Sequence, residues 1–216
     1  MIEHSKVQIL EHPLVREKLS KLRNVETSSS EFRQTLEQLS GLLAIEASRD
    51  LTVSTGGVML KSPLQVGYPE EKIQESVALF PILRAGLGLI PGFQAMFPVD
   101  AKTYHIGLYR EKSTFLPVEY YNKLPGVCAT DVGFVLDPMI ATAGTAIAAV
   151  SILKDWGLKN IKFCAVVASR TGLDALVKKH PDIEIFVCAV DEVLDEGKYI
   201  VPGLGDAGDR IFGTKH

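Results

Sequence analysis

The sequence lacks several features that mark large classes of proteins. No apolar run is long enough to cross a membrane, and the residues from Met1 to Lys6 do not form a signal peptide. No block of lysines and arginines occurs, and 23 basic and 26 acidic residues give a net charge of -3. We therefore expect a soluble, cytoplasmic protein with no membrane or nucleic-acid partner.

Cysteine is also scarce. Cys128, Cys164 and Cys188 are odd in number and form no C-x-x-C pair. Two of them fall in apolar, strand-like runs, so the sequence favours buried free thiols over disulfides, metal ligands or nucleophiles. Internal repeats, low-complexity tracts and interdomain linkers are absent as well, which predicts one domain over residues 1–216.

Strand-like and helical segments alternate through most of the chain. Apolar runs predict strands at residues 76–80, 104–109, 133–136, 163–168 and 183–190. A helix is expected at about residues 87–96, after the first of these strands. The first 50 residues have helical spacing, with a helix cap at residues 28–31. This order predicts an α/β fold, a parallel sheet flanked by helices. Residues 118–121 indicate the returning strand of a hairpin-like arm.

Residues 134–146 are the stretch around which the chain is organised. A buried strand ends at Asp137, a run of small residues follows, and a helix begins near Ala146. In such a loop, backbone N–H groups and the positive helix end converge on an anion, and Thr142 and Thr145 add hydroxyl groups. Asp137 could accept hydrogen bonds from sugar hydroxyls beside a phosphate. The pattern suits a ribose 5-phosphate, although an ordinary strand-to-helix turn fits these residues equally well.

Four segments resemble those of one enzyme family. Residues 137–145, Asp-Pro-Met-Ile-Ala-Thr-Ala-Gly-Thr, resemble the phosphoribosyl diphosphate (PRPP) motif of phosphoribosyltransferases, in its uracil phosphoribosyltransferase form. Residues 83–86, Leu-Arg-Ala-Gly, are similar to this family's pyrophosphate loop, although an isolated arginine at such a turn is usually solvated. Residues 107–125 resemble its mobile loop. Residues 199–210 resemble its uracil-binding segment, and their G-x-G-x-x-G lacks the helix, strand and acid of a dinucleotide site.

The resemblance implies an enzyme that transfers the 5-phosphoribosyl group of PRPP to N1 of uracil, giving UMP and diphosphate. It implies a phosphoribosyltransferase-type fold with a C-terminal hood that binds the base. It further implies Mg²⁺ bound through PRPP rather than by a protein metal site, a homodimer or higher oligomer, and GTP as a candidate effector. Two rivals are a nucleotide-sensing regulator of RNA or DNA, which the lack of a basic patch disfavours, and a purine or orotate phosphoribosyltransferase, which the base-binding segment disfavours.

The resemblance also implies which residues form the site. The catalytic residues are expected to be Arg84, Arg110, Asp137 and Asp206. Uracil is expected to bind to Ile200, Gly205, Asp206 and Ala207. The residues expected to bind PRPP lie in the matched loops: Arg84, Arg110, Asp137, Pro138, Met139, Ile140, Ala141, Thr142, Ala143, Gly144, Thr145 and Asp206.

The sequence departs from the family's pattern in several places. Asp137 is followed by Pro138, where many relatives have a second acid. Ala143 stands where many have glycine, and Thr145 where many have serine, but both keep the amides or hydroxyl that bind phosphate. Residues 169–172, Ser-Arg-Thr-Gly, replace a more usual Ala-Pro-Glu-Gly-like run, and the sequence does not reveal the consequence.

Overall fold

A computed structural model describes residues 6–98, 100–111 and 117–214. The first half of the chain contains β1 (Val7–Ile9), α1 (Pro13–Arg23), α2 (Ser29–Ala47), β2 (Val53–Lys61), β3 (Gly67–Ile73), β4 (Val77–Leu83), α3 (Ile90–Met96), β5 (Lys102–Thr103), β6 (Ile106–Arg110) and β7 (Pro117–Asn122). The second half contains β8 (Val132–Leu136), β9 (Met139–Ile140), α4 (Gly144–Asp155), β10 (Asn160–Ser169), α5 (Arg170–Lys179), β11 (Glu184–Asp191), β12 (Val193–Leu194), β13 (Ile200–Val201) and α6 (Ala207–Phe212).

The central sheet has the strand order β1-β11-β10-β8-β4-β6-β7, with β5 beside β4 and β9 beside β10. The pairs are parallel apart from β6 and β7, which form the antiparallel arm expected near residues 118–121. Strands β8 and β10 are almost wholly buried, as expected for parallel strands covered on both faces. The predicted α/β fold is confirmed.

Helices cover the sheet on both faces. One core joins the sheet to α1, α2, α3 and α6 through side chains such as Phe32, Phe93 and Ile211. The other core joins it to α4 and α5, with Val150 and Leu176 fully buried. Within the described ranges, no helix is long and apolar enough to span a bilayer. The helices of these two cores cover the faces of the sheet, so the ends of its strands stay uncovered.

The cap predicted for α2 is present. Ser28 Oγ accepts a hydrogen bond from the backbone N–H of Glu31 at 3.3 Å, and the Glu31 carboxylate accepts one from the backbone N–H of Ser28 at 3.2 Å. This reciprocal pair satisfies N–H groups that have no partner within the helix. The sequence signal was therefore local, and the structure confirms it.

Three element predictions need correction. The helix expected at residues 87–96 starts as a 3₁₀ turn, Ala85–Leu89, and becomes α-helical at Ile90, because Pro91 fits a first helical turn but not a helix interior. The strand expected at residues 104–109 begins at Ile106. Strand β3 was missed, since it pairs with β2 in an exposed antiparallel hairpin that has no buried face to create an apolar period.

Candidate active site

Three neighbouring strands end at the same edge of the sheet, and each ends at or beside a polar residue. Strands β4, β8 and β10 are parallel neighbours. Arg84 follows β4, Asp137 follows β8, and Ser169 is the last residue of β10. In open α/β sheets, ligands bind outside the carboxyl ends of the strands. This edge is therefore the candidate site.

The phosphate loop, residues 137–145, connects β8 to α4. Its short strand β9 pairs with β10. Ala143 precedes α4 with a left-handed φ of 64°, and in the part of the chain that the structure describes it makes no side-chain capping hydrogen bond to this end of the helix. Most of the loop, with Ala146, lines a cavity of about 80 Å³. Backbone N–H groups at a helix amino terminus suit a phosphate monoester.

Asp137 lies at the base of the phosphate loop. Its Oδ1 accepts a hydrogen bond from the backbone N–H of Met139 at 3.4 Å. Burial raises the pKa of the Asp137 carboxyl to about 7, and the hydrogen bond from Met139 opposes this rise only in part. The residue as a whole is half-buried, so water offsets part of the burial cost. Its charge therefore changes near neutral pH.

Ser169 links the phosphate loop to helix α5. Its hydroxyl donates to the carbonyl oxygen of Ala141 and accepts from the backbone N–H of Gly172 at 2.8 Å. Gly172 approaches the loop so closely that an added Cβ would lie 2.2 Å from the Ala141 oxygen. Ser169 itself is fully buried. The unusual sequence at residues 169–172 thus adds a hydrogen bond to the loop, which the sequence did not reveal.

Arg84 begins the turn after β4 and extends toward the C-terminal segment. Its Nη2 atom lies 3.3 Å from Asp209 Oδ1, and its guanidinium lies 5.9 Å from the centre of the Phe212 ring. Two residues on, an added Cβ at Gly86 would lie 2.3 Å from the carbonyl oxygen of Leu136. Only glycine fits this approach, which places the turn after β4 against the end of β8.

We define the hood as residues 193–212, which comprise β12, the base loop (residues 200–206, beginning in β13) and α6. Strands β12 and β13 pair antiparallel. Asp206 caps α6 and accepts a hydrogen bond from the backbone N–H of Asp209 at 2.9 Å. A Cβ at Gly208 would lie 3.2 Å from Asp206 Oδ1 and 3.6 Å from Arg84 Nη2. The Asp206 carboxylate and the Arg84 guanidinium therefore both lie close to Gly208.

The residues expected to bind uracil lie on the base loop and at the start of α6. Ile200 is 5% exposed and Ala207 is 2% exposed, so both are anchored in the core. Gly203 and Gly205 have left-handed φ values of 54° and 69°. These angles turn the loop sharply, and the small residues leave backbone amide and carbonyl groups as its main polar groups.

Arg110 is the last residue of β6, and its side chain lies outside the described part of the structure, as do residues 112–116 of the predicted mobile loop. Its backbone position is defined. Strand β6 runs parallel to β4, with Gly107 opposite Leu83, so its carboxyl end is at the same edge as Arg84. The topology thus brings the two arginine-bearing segments together.

Sequence reasoning missed three charged residues near this edge: Arg23, Asp191 and Asp209. Asp191 ends β11 and pairs with Arg23 at 2.7 Å. An acid at the end of an apolar strand is the pattern that identified Asp137, so Asp191 could have been found in the same way. Arg23 and Asp209 gave no such signal, because Arg23 pairs with Asp191 and Asp209 with Arg84, both far away in the sequence.

Two comparisons of the structure define the class. A hypoxanthine phosphoribosyltransferase from Staphylococcus aureus matches with a TM-score of 0.51 at 8% identity, over 75% of this chain and 76% of that one. At this identity the likeness concerns the fold alone. The AQ2163 protein from Aquifex aeolicus matches with a TM-score of 0.89 at 32% identity, over 97% of this chain and 99% of that one. The chain has the phosphoribosyltransferase fold.

The sequence comparisons narrow the class to one family. The family model described as uracil phosphoribosyltransferase matches residues 9–214. A uracil phosphoribosyltransferase from Lactococcus lactis is 48% identical over 213 residues, covering 98% of this chain and all of that one. The chain belongs to the uracil phosphoribosyltransferase family, which confirms the resemblance found in the sequence.

Proposed function

We propose that this protein transfers the 5-phosphoribosyl group of PRPP to N1 of uracil, with UMP and diphosphate as products. The observation that carries the proposal is the close approach of the turn that bears Arg84 to the end of β8, where the phosphate loop starts, together with the 3.3 Å contact from Arg84 to Asp209 of the hood. A phosphate site, a diphosphate site and a base site thus share one edge of the sheet. Membership of the uracil phosphoribosyltransferase family supports the same reaction.

We assign the PRPP contacts by chemistry. Residues 141–145 would bind the 5-phosphate through backbone N–H groups and the helix end, with Pro138, Met139 and Ile140 shaping the loop. Asp137 would accept hydrogen bonds from the ribose hydroxyls. Arg84 and Arg110 would bind the diphosphate, since a guanidinium offers a fork of donors to phosphate oxygens.

In this reaction the C1–O bond to diphosphate breaks, the C1–N1 bond to uracil forms, and uracil loses its N1 proton. The ribose passes through a state with cationic character at C1, while negative charge grows on the diphosphate. Arginines aimed at the leaving group lower this barrier, and a covered site keeps water from competing with uracil. The main tasks of the protein are therefore positioning and charge stabilisation.

The base loop suits uracil in particular. Uracil offers an N3–H donor between two carbonyl acceptors, and the backbone of Ile200, Gly205, Asp206 and Ala207 can offer the complementary groups. Cytosine has an acceptor at N3 and a donor at position 4, so two buried polar groups would be mismatched. Each mismatch costs about 1–3 kcal/mol, which predicts strong discrimination between the two bases.

Mg²⁺ is expected to arrive bound to PRPP. The end of β8 is followed by one acid, Asp137, and then by Pro138. A second acid, Asp206 of the hood, lies near Arg84. One or two carboxylates together with substrate phosphates are a usual environment for Mg²⁺, so these residues fit a metal carried by the substrate. When bound, the metal neutralises diphosphate charge. Calorimetry should therefore detect weak Mg²⁺ binding without PRPP, and tight binding would contradict this assignment.

We also propose a homodimer or higher oligomer. The β2–β3 hairpin exposes a group of apolar side chains that are 36% to 86% exposed: Val58, Met59, Leu60, Leu64, Val66 and Tyr68. Exposed apolar patches commonly mark protein interfaces. Light scattering at assay concentrations should detect an oligomer, and a Met59→Lys, Leu64→Lys variant should dissociate it. Turnover with and without GTP would test the candidate effector.

We place the protein in the cytoplasm and treat residues 1–216 as one domain. The free cysteines Cys128, Cys164 and Cys188 suit a reducing compartment. Burial also raises the pKa of the Cys188 thiol, to about 12, which keeps it protonated. Helices on both faces pack against one central sheet, as expected for a single domain.

The proposed function is tested with the purified protein, Mg²⁺ and PRPP, incubated separately with uracil, cytosine, orotate and hypoxanthine. We expect UMP and diphosphate from uracil and little product from the other three bases. Product from orotate or hypoxanthine alone would point to a different phosphoribosyltransferase. No product from any base would support the rival regulatory role and contradict the proposal.

A further inference from the structure

The base loop rests on an ion pair between α1 and β11. The Nη1 and Nη2 atoms of Arg23 donate to the Asp191 carboxylate at 2.7 Å and 2.8 Å. The side chain of Asp191 is 8% exposed and that of Arg23 is 20% exposed, so the pair is largely shielded from water. Two parallel hydrogen bonds fix orientation as well as distance. The pair is therefore a rigid support rather than a surface contact.

Both members of this pair also bind the backbone of Gly203. Arg23 Nη1 donates to the Gly203 carbonyl oxygen at 3.0 Å, and the Gly203 N–H donates to Asp191 Oδ2 at 3.0 Å. The two polar backbone groups of a single loop residue are thus held by two opposite charges. Because these charges compensate each other, the ring of hydrogen bonds leaves neither charge unpaired.

The position of Gly203 controls that of Ile200. At Gly203 the chain turns back with a φ of 54°, and an added Cβ would lie 2.1 Å from the Ile200 carbonyl oxygen. Ile200 is one of the residues proposed to bind the base. A shift of Gly203 would therefore move a backbone group that reads the pyrimidine edge, and displacements near 1 Å are enough to impair a site.

A second arginine fixes the same loop to the end of α1. Arg210 donates through Nη1 to the carbonyl oxygens of Leu204, at 3.0 Å, and Leu22, and through Nη2 to that of Asn24 at 2.7 Å. Leu204 belongs to the base loop, whereas Leu22 and Asn24 flank Arg23. Residues 22–24 at the end of α1 thus contact the base loop through two arginines, Arg23 and Arg210.

We propose that Arg23 and Asp191 are positioning residues for the pyrimidine base. They act through Gly203, setting the geometry of the base loop and so the preference for uracil. This inference rests on the proposed function, because it assumes that the base loop binds uracil.

Two conservative variants test it. Arg23→Lys keeps the charge but loses the fork, and Asp191→Asn keeps the shape but loses the charge. For each we expect KM for uracil to rise about tenfold or more, KM for PRPP to change by less than about twofold, and the preference for uracil over cytosine to shrink. Arg33→Lys is the matched control, because Arg33 donates at 2.8 Å to Ile211 in α6 rather than to the base loop. Its KM for uracil should match that of the unaltered protein.

Hydrogen exchange provides a readout that does not depend on enzyme activity, and it can be measured on Arg23→Lys alone with its control. The amide of Gly203 should exchange faster in Arg23→Lys than in the unaltered protein and the Arg33→Lys control. The inference would be overturned if the variants melted at a lower temperature but kept the Gly203 exchange rate, the KM for uracil and the base preference of the unaltered protein. The pair would then be merely structural. Failure of the unaltered protein to use uracil would instead refute the proposed function.

Discussion

Replacing Asp137 by asparagine should make the ligand-free protein more stable and at the same time much less active. The Asp137 carboxyl is largely buried at the base of the phosphate loop, and it accepts a hydrogen bond from the Met139 N–H at 3.4 Å. Asparagine has nearly the same shape, can still accept that hydrogen bond, and carries no charge. The substitution therefore removes the cost of burying a carboxylate without creating a cavity.

The size of the expected stabilisation follows from the pKa of the Asp137 carboxyl. Burial raises the pKa of Asp137 from 3.8 to about 7. This rise corresponds to about 4 kcal/mol of lost stability at pH values above 7, and the partial exposure of Asp137 reduces our expectation to about 2 kcal/mol. For a chain of this size, about 2 kcal/mol corresponds to roughly 4–8 °C in melting temperature.

The difference in stability between the variant and the unaltered protein depends on pH. Between pH 3.8 and about 7 the folded protein binds more protons at Asp137 than the unfolded chain does, so this group's contribution to stability falls as pH rises. The Asp137→Asn variant should thus melt higher than the unaltered protein at pH 8, and the difference should vanish near pH 4. Asp131→Asn is the control with the opposite sign: hydrogen bonds from Ser76 lower the pKa of the Asp131 carboxyl, so the carboxylate stabilises the fold from pH 4 to pH 8 and its removal should lower the melting temperature across that range.

Melting temperatures from pH 4 to pH 8 without PRPP, at fixed protein concentration, would check this prediction. In parallel, kcat/KM for PRPP should fall about 10- to 100-fold, because a carboxylate is a better acceptor for ribose hydroxyls than an amide. Equal melting temperatures for Asp137→Asn and the unaltered protein at pH 8 would refute the reasoning, since the carboxylate would then carry no burial cost.

Three further substitutions probe the same edge of the sheet. Gly86→Ala should destabilise the fold by about 1–3 kcal/mol and reduce turnover, because its Cβ would meet the Leu136 carbonyl oxygen at 2.3 Å. Gly126→Ala should be neutral in the same thermal melts, because none of the described residues comes within 4 Å of its added Cβ, its own chain neighbours aside. Ser169→Ala should lower the free energy of unfolding by about 1–2 kcal/mol and raise KM for PRPP but not for uracil. An unchanged KM for PRPP would show that Ser169 serves only as the cap of helix α5. Arg110→Ala should keep its melting temperature but lose roughly thirty- to a thousandfold in kcat; full turnover would exclude a role for this residue at the diphosphate.

The fold could be predicted from the sequence where the signal was local. The buried runs at β4, β8, β10 and β11 are apolar because helices cover both faces of these strands, and a continuous apolar run is readable without knowing its neighbours. The cap at Ser28 and Glu31 is equally local, because its two hydrogen bonds join residues three apart. Strand β3 escaped, since the exposed hairpin that it forms with β2 buries no face and therefore carries no periodic pattern.

The sequence by itself identified the loops to which we assign the chemistry: residues 137–145, the turn at Arg84 and the base loop are contiguous stretches whose composition suits the ligands proposed for them. The tertiary structure alone decided how these loops are held. Arg23 and Asp191 are 168 residues apart, and Arg84 and Asp209 are 125 apart. Such pairs form only after the sheet has brought their strands and helices together, so a local pattern can point to a single residue such as Asp191 but cannot show which residue it pairs with.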